Sequence, residues 1–352
     1  MTQPENGSPK DPRIRRRIVL LCIAIAAVFS LVSLLIWSSY RKTLMDNQKE
    51  ELLLISRTLA QNLEVSMQEF QDSAAFFCDL EDSGLGTQAH YEKYLAVQQG
   101  AIADLCWFDA EEQFEKSIRG TVLQDAIYLG DASEDGSFWL CGDQEGQKFL
   151  AIRRKLRAGG YLALLINEKT YYEQLISNIR VGTNGYFVVK SSDQTIIMHP
   201  KPEQWGINVI EGRRELYPGL DLESLENMVE EQASTESGVL EYYSYWWTDP
   251  SLPRVRKIAS HAWVRLGKES GDFWIVSAVL DYSDFFLPIQ KSFQSLLSAF
   301  LCFGTVILLL TIYIGNLLQE RQQKAKEIAY LRELNETLEA LQRSEEVIVH
   351  QQ

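Results

Sequence analysis

The 352-residue chain predicts an α+β fold: two tandem antiparallel-sheet units on a long N-terminal helix, set between two transmembrane helices and ending in a coiled coil. Three observations carry this. Two uncharged apolar runs, residues 18–38 and 295–318, each supply the ~20 residues that an α-helix needs to cross a hydrocarbon core of ~30 Å. Proline-free helical spacing follows the first run. Short β-like segments separated by turn-forming residues then fill the rest of the intervening stretch.

The N-terminal segment 1–17 is basic, with Lys10, Arg13, Arg15, Arg16 and Arg17 directly before the first run. Arg321, Lys324 and Lys326 follow the second run. Basic residues beside membrane-spanning ends tend to stay cytoplasmic, so a two-pass protein of the cell (plasma) membrane is expected, with both termini inside and residues 41–290 outside. Arg41, Lys42 and Lys291 on the outer side weaken this bias without reversing it. A cleaved signal peptide is the rival reading of the first run. The run is too long for that, and no small-residue cleavage site precedes Tyr40.

Net charge is -14 while both membrane flanks are basic, so the acid lies mainly in the outer region. This argues against nucleic acid as a partner. Of the five cysteines, Cys22 and Cys302 lie in the apolar runs, leaving Cys78, Cys106 and Cys141 outside. An odd count cannot pair completely within one chain, and spacing does not select a pair.

Residues 41–77 read as one long helix, carrying Met45, Leu52, Leu59, Leu63, Met67 and Phe70, with Gly84 and Gly86 as the first breakers. A distal unit, 78–179, follows. Its strands are centred on Trp107, Trp139, Arg153 and residues 161–166, and a helix covers 169–179. The proximal unit, 180–284, opens with a hairpin around Ser191-Ser-Asp. A helix over 221–232 and three strands over 238–247, 255–265 and 272–280 complete it. In the run Tyr242-Tyr-Ser-Tyr-Trp-Trp, alternation places Tyr242, Ser244 and Trp246 on one face and Tyr243, Tyr245 and Trp247 on the other. One face lines a second pocket or packs against the sheet or a partner subunit.

The stretch Gly182-Thr-Asn-Gly-Tyr-Phe-Val-Val-Lys, the following strand ending in His199-Pro200, and Gly206-Ile-Asn-Val resemble the double Cache sensor domain of bacterial membrane receptors. The closing strand from Phe273 to Tyr282 is similar to that family's exit strand, and the resemblance covers about 41–290. It implies PAS-like sheet units, with a small-molecule ligand held in the distal one. The chain departs from the family at the hairpin, where Ser192-Asp193-Gln194 replaces the usual glycine.

Under that resemblance the ligand-binding candidates are Trp107 and Asp109 on the first distal strand, Trp139 on the third, Arg153 on the fourth and Tyr161 opening the fifth. Arginine grips a carboxylate in bidentate fashion and aspartate pairs with an amine. Against this stand ordinary core packing for the aromatic residues and a solvated strand edge for Arg153. The Tyr–Arg–Trp–Tyr–Asp arrangement of amino-acid-binding members is missing, so an amino-acid ligand is not supported. His199 and His261 are candidates for a pH sensor or a metal ligand, or for structural hydrogen bonding, which their lack of ligand spacing favours.

The sequence carries no catalytic motif, no phosphate-binding glycine loop and no cysteine–histidine metal spacing, and no cofactor is expected. In segment 319–352, Leu331, Leu334, Leu338, Leu341 and Ile348 follow the 3-4 spacing of a parallel coiled coil, with Ile328 out of register. A homodimer is therefore expected. Leu331-Arg-Glu-Leu-Asn-Glu-Thr-Leu resembles the signalling helix of sensor histidine kinases, although His350 lacks the context of their phospho-accepting residue. The expectation is thus a receptor embedded in the lipid bilayer. The alternative is a two-component histidine kinase whose catalytic part lies outside these residues.

Overall fold

The computed structural model describes residues 12–97, 101–133, 135–177, 179, 181–182, 185–245, 251–267 and 271–349. Trp246, Trp247 and His350 lie outside the described residues. The chain divides into two compact units, one being Leu44–Ile289 and the other formed by the chain on either side of it.

The flanking unit contains parts of two long helices, α1 (Pro12–Asp82) and α6 (Tyr282–Val349). Their apolar stretches have mean hydropathies of 2.0 and 2.4, and none of either window is buried. Both are long and apolar enough to cross a bilayer, and hydrocarbon is the medium that covers such a surface without cost. They pack on each other through Phe29 against Phe300 and Phe303, at centroid distances of 5.4 and 6.2 Å, and through Trp37 against Phe293 at 4.2 Å. Further along α6, Leu331, Leu334, Leu338 and Leu341 form an exposed apolar stripe.

Within Leu44–Ile289, α1 buries Leu52, Ser56, Leu59, Leu63, Met67, Ala74 and Phe77, one stripe at three- and four-residue spacing. Asp82 ends the helix, and Gly84 then turns the chain with φ at 70°. α2 (Gln88–Val97) leads into sheet A, built from β1 (Ile102–Phe108), β2 (Phe114–Ser117), β3 (Leu123–Ser133), β4 (Gly136–Asp143), β5 (Lys148–Lys155) and β6 (Tyr161–Asn167). Its order is β2-β1-β6-β5-β4-β3, antiparallel throughout. Trp139, Arg153 and Tyr161 therefore lie on the fourth, fifth and sixth strands, one later than sequence spacing suggests. β2 and β3 are both edge strands that lack a continuous apolar face, so the sequence reading located neither and counted one strand where two lie.

α3 (Glu168–Ile176), N-capped by Asn167, connects to sheet B. This sheet contains β7 (Tyr186–Ser191), β8 (Ile196–Met198), β9 (Ser237–Tyr245), β10 (Arg254–Arg265) and β11 (Phe273–Asp281), in the order β8-β7-β11-β10-β9. α4 (Glu211–Leu216) and α5 (Glu223–Ser234) lie between β8 and β9 in sequence.

α1 is fixed to one face of sheet B by Ser56 Oγ, 2.6 Å from Ser260 Oγ, and by Ser260 Oγ donating to the Leu52 carbonyl at 2.7 Å. The two sheets meet at fully buried Trp274, whose Nε1 donates to the Leu129 carbonyl at 3.0 Å and whose ring contacts Phe138 at 5.0 Å. The sequence thus anticipated an α+β chain with two antiparallel sheets and long helices at both ends.

Candidate ligand-binding site

Strand alternation decides which of the sequence-selected residues of sheet A meet. One face carries Leu105, Trp107, Phe138, Leu150, Ile152 and Leu164 and joins the main core. The other carries Cys106, Cys141, Phe149, Ala151, Ala163 and Leu165. Trp107 belongs to the first face, where it contacts Tyr91 at 5.4 Å with Lys116 Nζ 4.6 Å from its ring centroid. It is separated from Trp139, Arg153 and Tyr161 by the sheet itself. Asp109 shapes the β1–β2 turn: its Oδ1 accepts the backbone N–H groups of Glu111 and Gln113 at 2.9 and 2.8 Å.

Trp139, Arg153 and Tyr161 do converge, on the second face. The Arg153 guanidinium carbon lies 4.7 Å from the Phe108 centroid, 4.8 Å from Trp139 and 5.1 Å from Tyr161. Its Nη2 donates to Glu112 Oε2 at 3.1 Å, and only 6% of the residue is exposed. Gly160, with φ at 80°, positions Tyr161. A Cβ there would stand 2.4 Å from the Phe108 carbonyl oxygen, so no other residue fits. The cation is held by three rings and one carboxylate, so it does not stand at a solvated strand edge.

A second constellation lies on the face of sheet B opposite α1, around a cavity of about 60 Å³. Period-2 alternation on β7 sends Tyr186, Val188 and Lys190 into it, and Tyr242 and Ser244 enter from β9. His199 follows β8, Arg213 comes from α4, Leu225, Met228 and Gln232 come from α5, and Ser277 from β11. Lys190 Nζ donates to Gln194 Oε1 at 2.7 Å and to Gln232 Oε1 at 2.6 Å. Gln232 Nε2 in turn donates to Ser277 Oγ at 3.3 Å. Arg213 donates to the Gln204 side-chain oxygen. Lys257 Nζ, also buried, donates to the Tyr186 hydroxyl at 3.2 Å. Among the described residues lining the cavity none is acidic.

Desolvation governs the charges here, because burial disfavours a cation. It lowers Lys190 to about 7 and Arg213 to about 10. His199 falls to about 3, through burial first and the neighbouring Arg213 charge second. His199 is therefore neutral near pH 7, and its Nδ1 accepts the Lys201 N–H at 3.0 Å. His261 likewise donates from Nε2 to the Thr235 carbonyl at 2.9 Å. Structural hydrogen bonding, of the readings open from sequence, describes both. No group of three metal-ligating side chains occurs among the described residues. Cys78, Cys106 and Cys141 are free and buried, with burial pushing Cys78 and Cys141 up to about 12.

Both sheets share one device. In the turn after β1, Glu112 takes a left-handed φ of 62°, and in the turn after β7 Gln194 takes 71°. Glycine normally occupies such positions. Here each is a long polar residue whose side chain reaches a buried strand cation, Arg153 or Lys190. This resolves the hairpin in which Ser192-Asp193-Gln194 stands for glycine. Lys190 was visible in the sequence as the lone charge ending an apolar strand; Arg213 and Gln232 carried no local signal.

No family model and no curated protein matches the chain. Among solved structures it is similar to the periplasmic sensory domain of the Campylobacter jejuni chemoreceptor Tlp1, with 11% identity over 70% of this chain and 99% of that one and a TM-score of 0.45. It is also similar to the ligand-binding domain of the Pseudomonas aeruginosa PAO1 chemoreceptor PctB in complex with L-Arg, with 14% identity over 68% and 97% and a TM-score of 0.48. A third similar structure is the ligand-binding domain of the Pseudomonas fluorescens chemoreceptor CtaA in complex with L-leucine, at 14% identity over 68% and 97% and a TM-score of 0.47.

Proposed function

We propose that the chain is a two-pass membrane receptor whose unit Leu44–Ile289 binds a small extracellular molecule in the sheet B cavity and passes the event to the cytoplasmic part of α6. The observation that carries this reading is the cavity itself: a polar, cation-bearing interior in a unit entered by α1 and left by α6, the two helices that hold the apolar stretches. Polar groups converging on a cavity with apolar walls are the composition of a ligand site. A core built for stability alone gains little from buried cations.

In this reading both termini are cytoplasmic, following the basic flanks, and two copies pair through the stripe Leu331, Leu334, Leu338 and Leu341. A ligand transmits only by favouring one arrangement of the pair over another. The test uses the full chain in lipid nanodiscs, with Leu334→Cys cross-linked while a broad panel of small metabolites is added. A compound that shifts the unfolding midpoint and changes the cross-linking rate supports the receptor. A panel that changes neither, or a reporter fused after Ser192 that behaves as cytoplasmic, overturns it.

A further inference from the structure

We propose that the sheet B cavity selects a short-chain carboxylate anion, its head on Lys190 and Arg213 and its alkyl part on the apolar walls. This rests on the receptor reading above and adds the chemical class of the ligand.

Charge comes first. Lys190 and Arg213 line the cavity at 3% exposure each, and no carboxylate lines it with them among the described residues. Desolvated cations are retained at a cost unless an anion or dense hydrogen bonding compensates. Lys190 has neutral amide oxygens as its hydrogen-bond acceptors, from Gln194 and Gln232. An ammonium group offers three donors, so these two contacts leave a third for a ligand. Arg213 brings a planar guanidinium, the group best matched to a carboxylate.

Shape and polarity narrow the class. The hydroxyls of Tyr242, Ser244 and Ser277 add donors, while Val188, Ile196, Val209, Leu225, Met228 and Val279 supply an aliphatic wall. An inorganic oxyanion would leave that wall unused. The volume of about 60 Å³ compares with ~10–15 Å³ per enclosed water on the same measure, room for a few heavy atoms rather than for a sugar or a nucleotide.

The strained turn supports the assignment. Gln194 holds Lys190 from a left-handed backbone conformation that disfavours a non-glycine residue. Such strain persists where the surroundings over-determine it, and it clusters at ligand clamps.

The experiment is a thermal-shift and calorimetric titration of the full chain in nanodiscs. The probes are acetate, propionate and butyrate, the matching neutral amides, propylamine and inorganic phosphate. Carboxylates are expected to raise the unfolding midpoint while amides, amine and phosphate leave it unchanged. Lys190→Met should weaken carboxylate binding about tenfold or more, the scale of a lost charged hydrogen bond. Arg265→Ala, an exposed cation of β10, should bind as wild type. Ser244→Ala removes a lining hydroxyl without touching a charge, and should weaken binding measurably even if Lys190→Met fails to fold. Equal shifts from amides and acids, or a shift from phosphate alone, would overturn the carboxylate assignment while leaving the receptor standing. Silence from every carboxylate, or full binding in a folded Lys190→Met protein, would also overturn it. The cross-linking screen then judges the receptor separately.

Discussion

Replacing Lys190 by methionine should change how stability depends on pH. Burial lowers this ammonium from an ordinary 10.5 to about 7. Between those values the unfolded chain holds a proton that the native chain has released, so native stability rises with pH across the window. The slope is about 1.4 kcal/mol per pH unit, and the full span is worth about 5 kcal/mol. Below pH 7 both states are protonated and the whole cost is present; above 10.5 it is gone.

Methionine fills a similar volume and cannot titrate. It forfeits the hydrogen bonds to Gln194 and Gln232, worth about 1 kcal/mol each with a neutral amine. At pH 7.5 the variant should therefore be more stable than wild type by roughly 2 kcal/mol. By pH 9.5 that advantage should have fallen by between about 2 and 3 kcal/mol, putting the variant slightly below wild type. Urea unfolding of the full chain in detergent, followed by tryptophan fluorescence at both pH values, measures the difference, from which other titrating groups cancel. Parallel stability–pH curves for the two proteins would refute the reasoning, because a solvated or acid-paired lysine gives no such divergence.

Other outcomes follow from the same geometry. Asp104 is fully buried and accepts the backbone N–H groups of Leu105, Ile118, Arg119 and Thr121, so Asp104→Ala should cost about 2–4 kcal/mol in urea unfolding by orphaning them. Gln194→Gly relieves about 1 kcal/mol of left-handed strain but removes a buried partner of Lys190 worth about 1.5–3, so a net loss of about 1 kcal/mol is expected in the same assay at pH 6.5. Burial holds Glu168 well above its ordinary 4.5, so its neutral form is the native one and stability falls as pH rises above that value. Glu168→Gln should therefore unfold later than wild type at pH 7, with the gap closing toward pH 4.5. Cys78, Cys106 and Cys141, their thiols pushed up by burial, should resist maleimide at pH 7.5 until denaturant is added, as a mass spectrum would show.

Sequence alone determined the elements whose cause is local. The uncharged runs, the stripe from Leu52 to Phe77 and the breaker at Gly84 are written in composition and 3.6-residue spacing, and α1 and α6 follow them. Central strands such as β5, β6, β10 and β11 announced themselves because both of their faces are buried. β2, with the sequence Phe-Glu-Lys-Ser, and β3, with Gly130 at φ 129° and irregular register, are edges, and their polar character hides them. α4 is too short to display a period.

The site was legible only in pieces. Arg153, Trp139 and Tyr161 were picked for their chemistry. Which of them meet depended on strand parity and hairpin register, and these turned Trp107 into the opposite core. The cavity that gathers buried charge was decided by tertiary structure alone. Lys190 and Gln194 are hairpin neighbours, but Gln232 and Arg213 reach them only because α4 and α5 place them over the sheet. Convergence across chain distances of that order is a property of packing, which no local pattern of residues encodes.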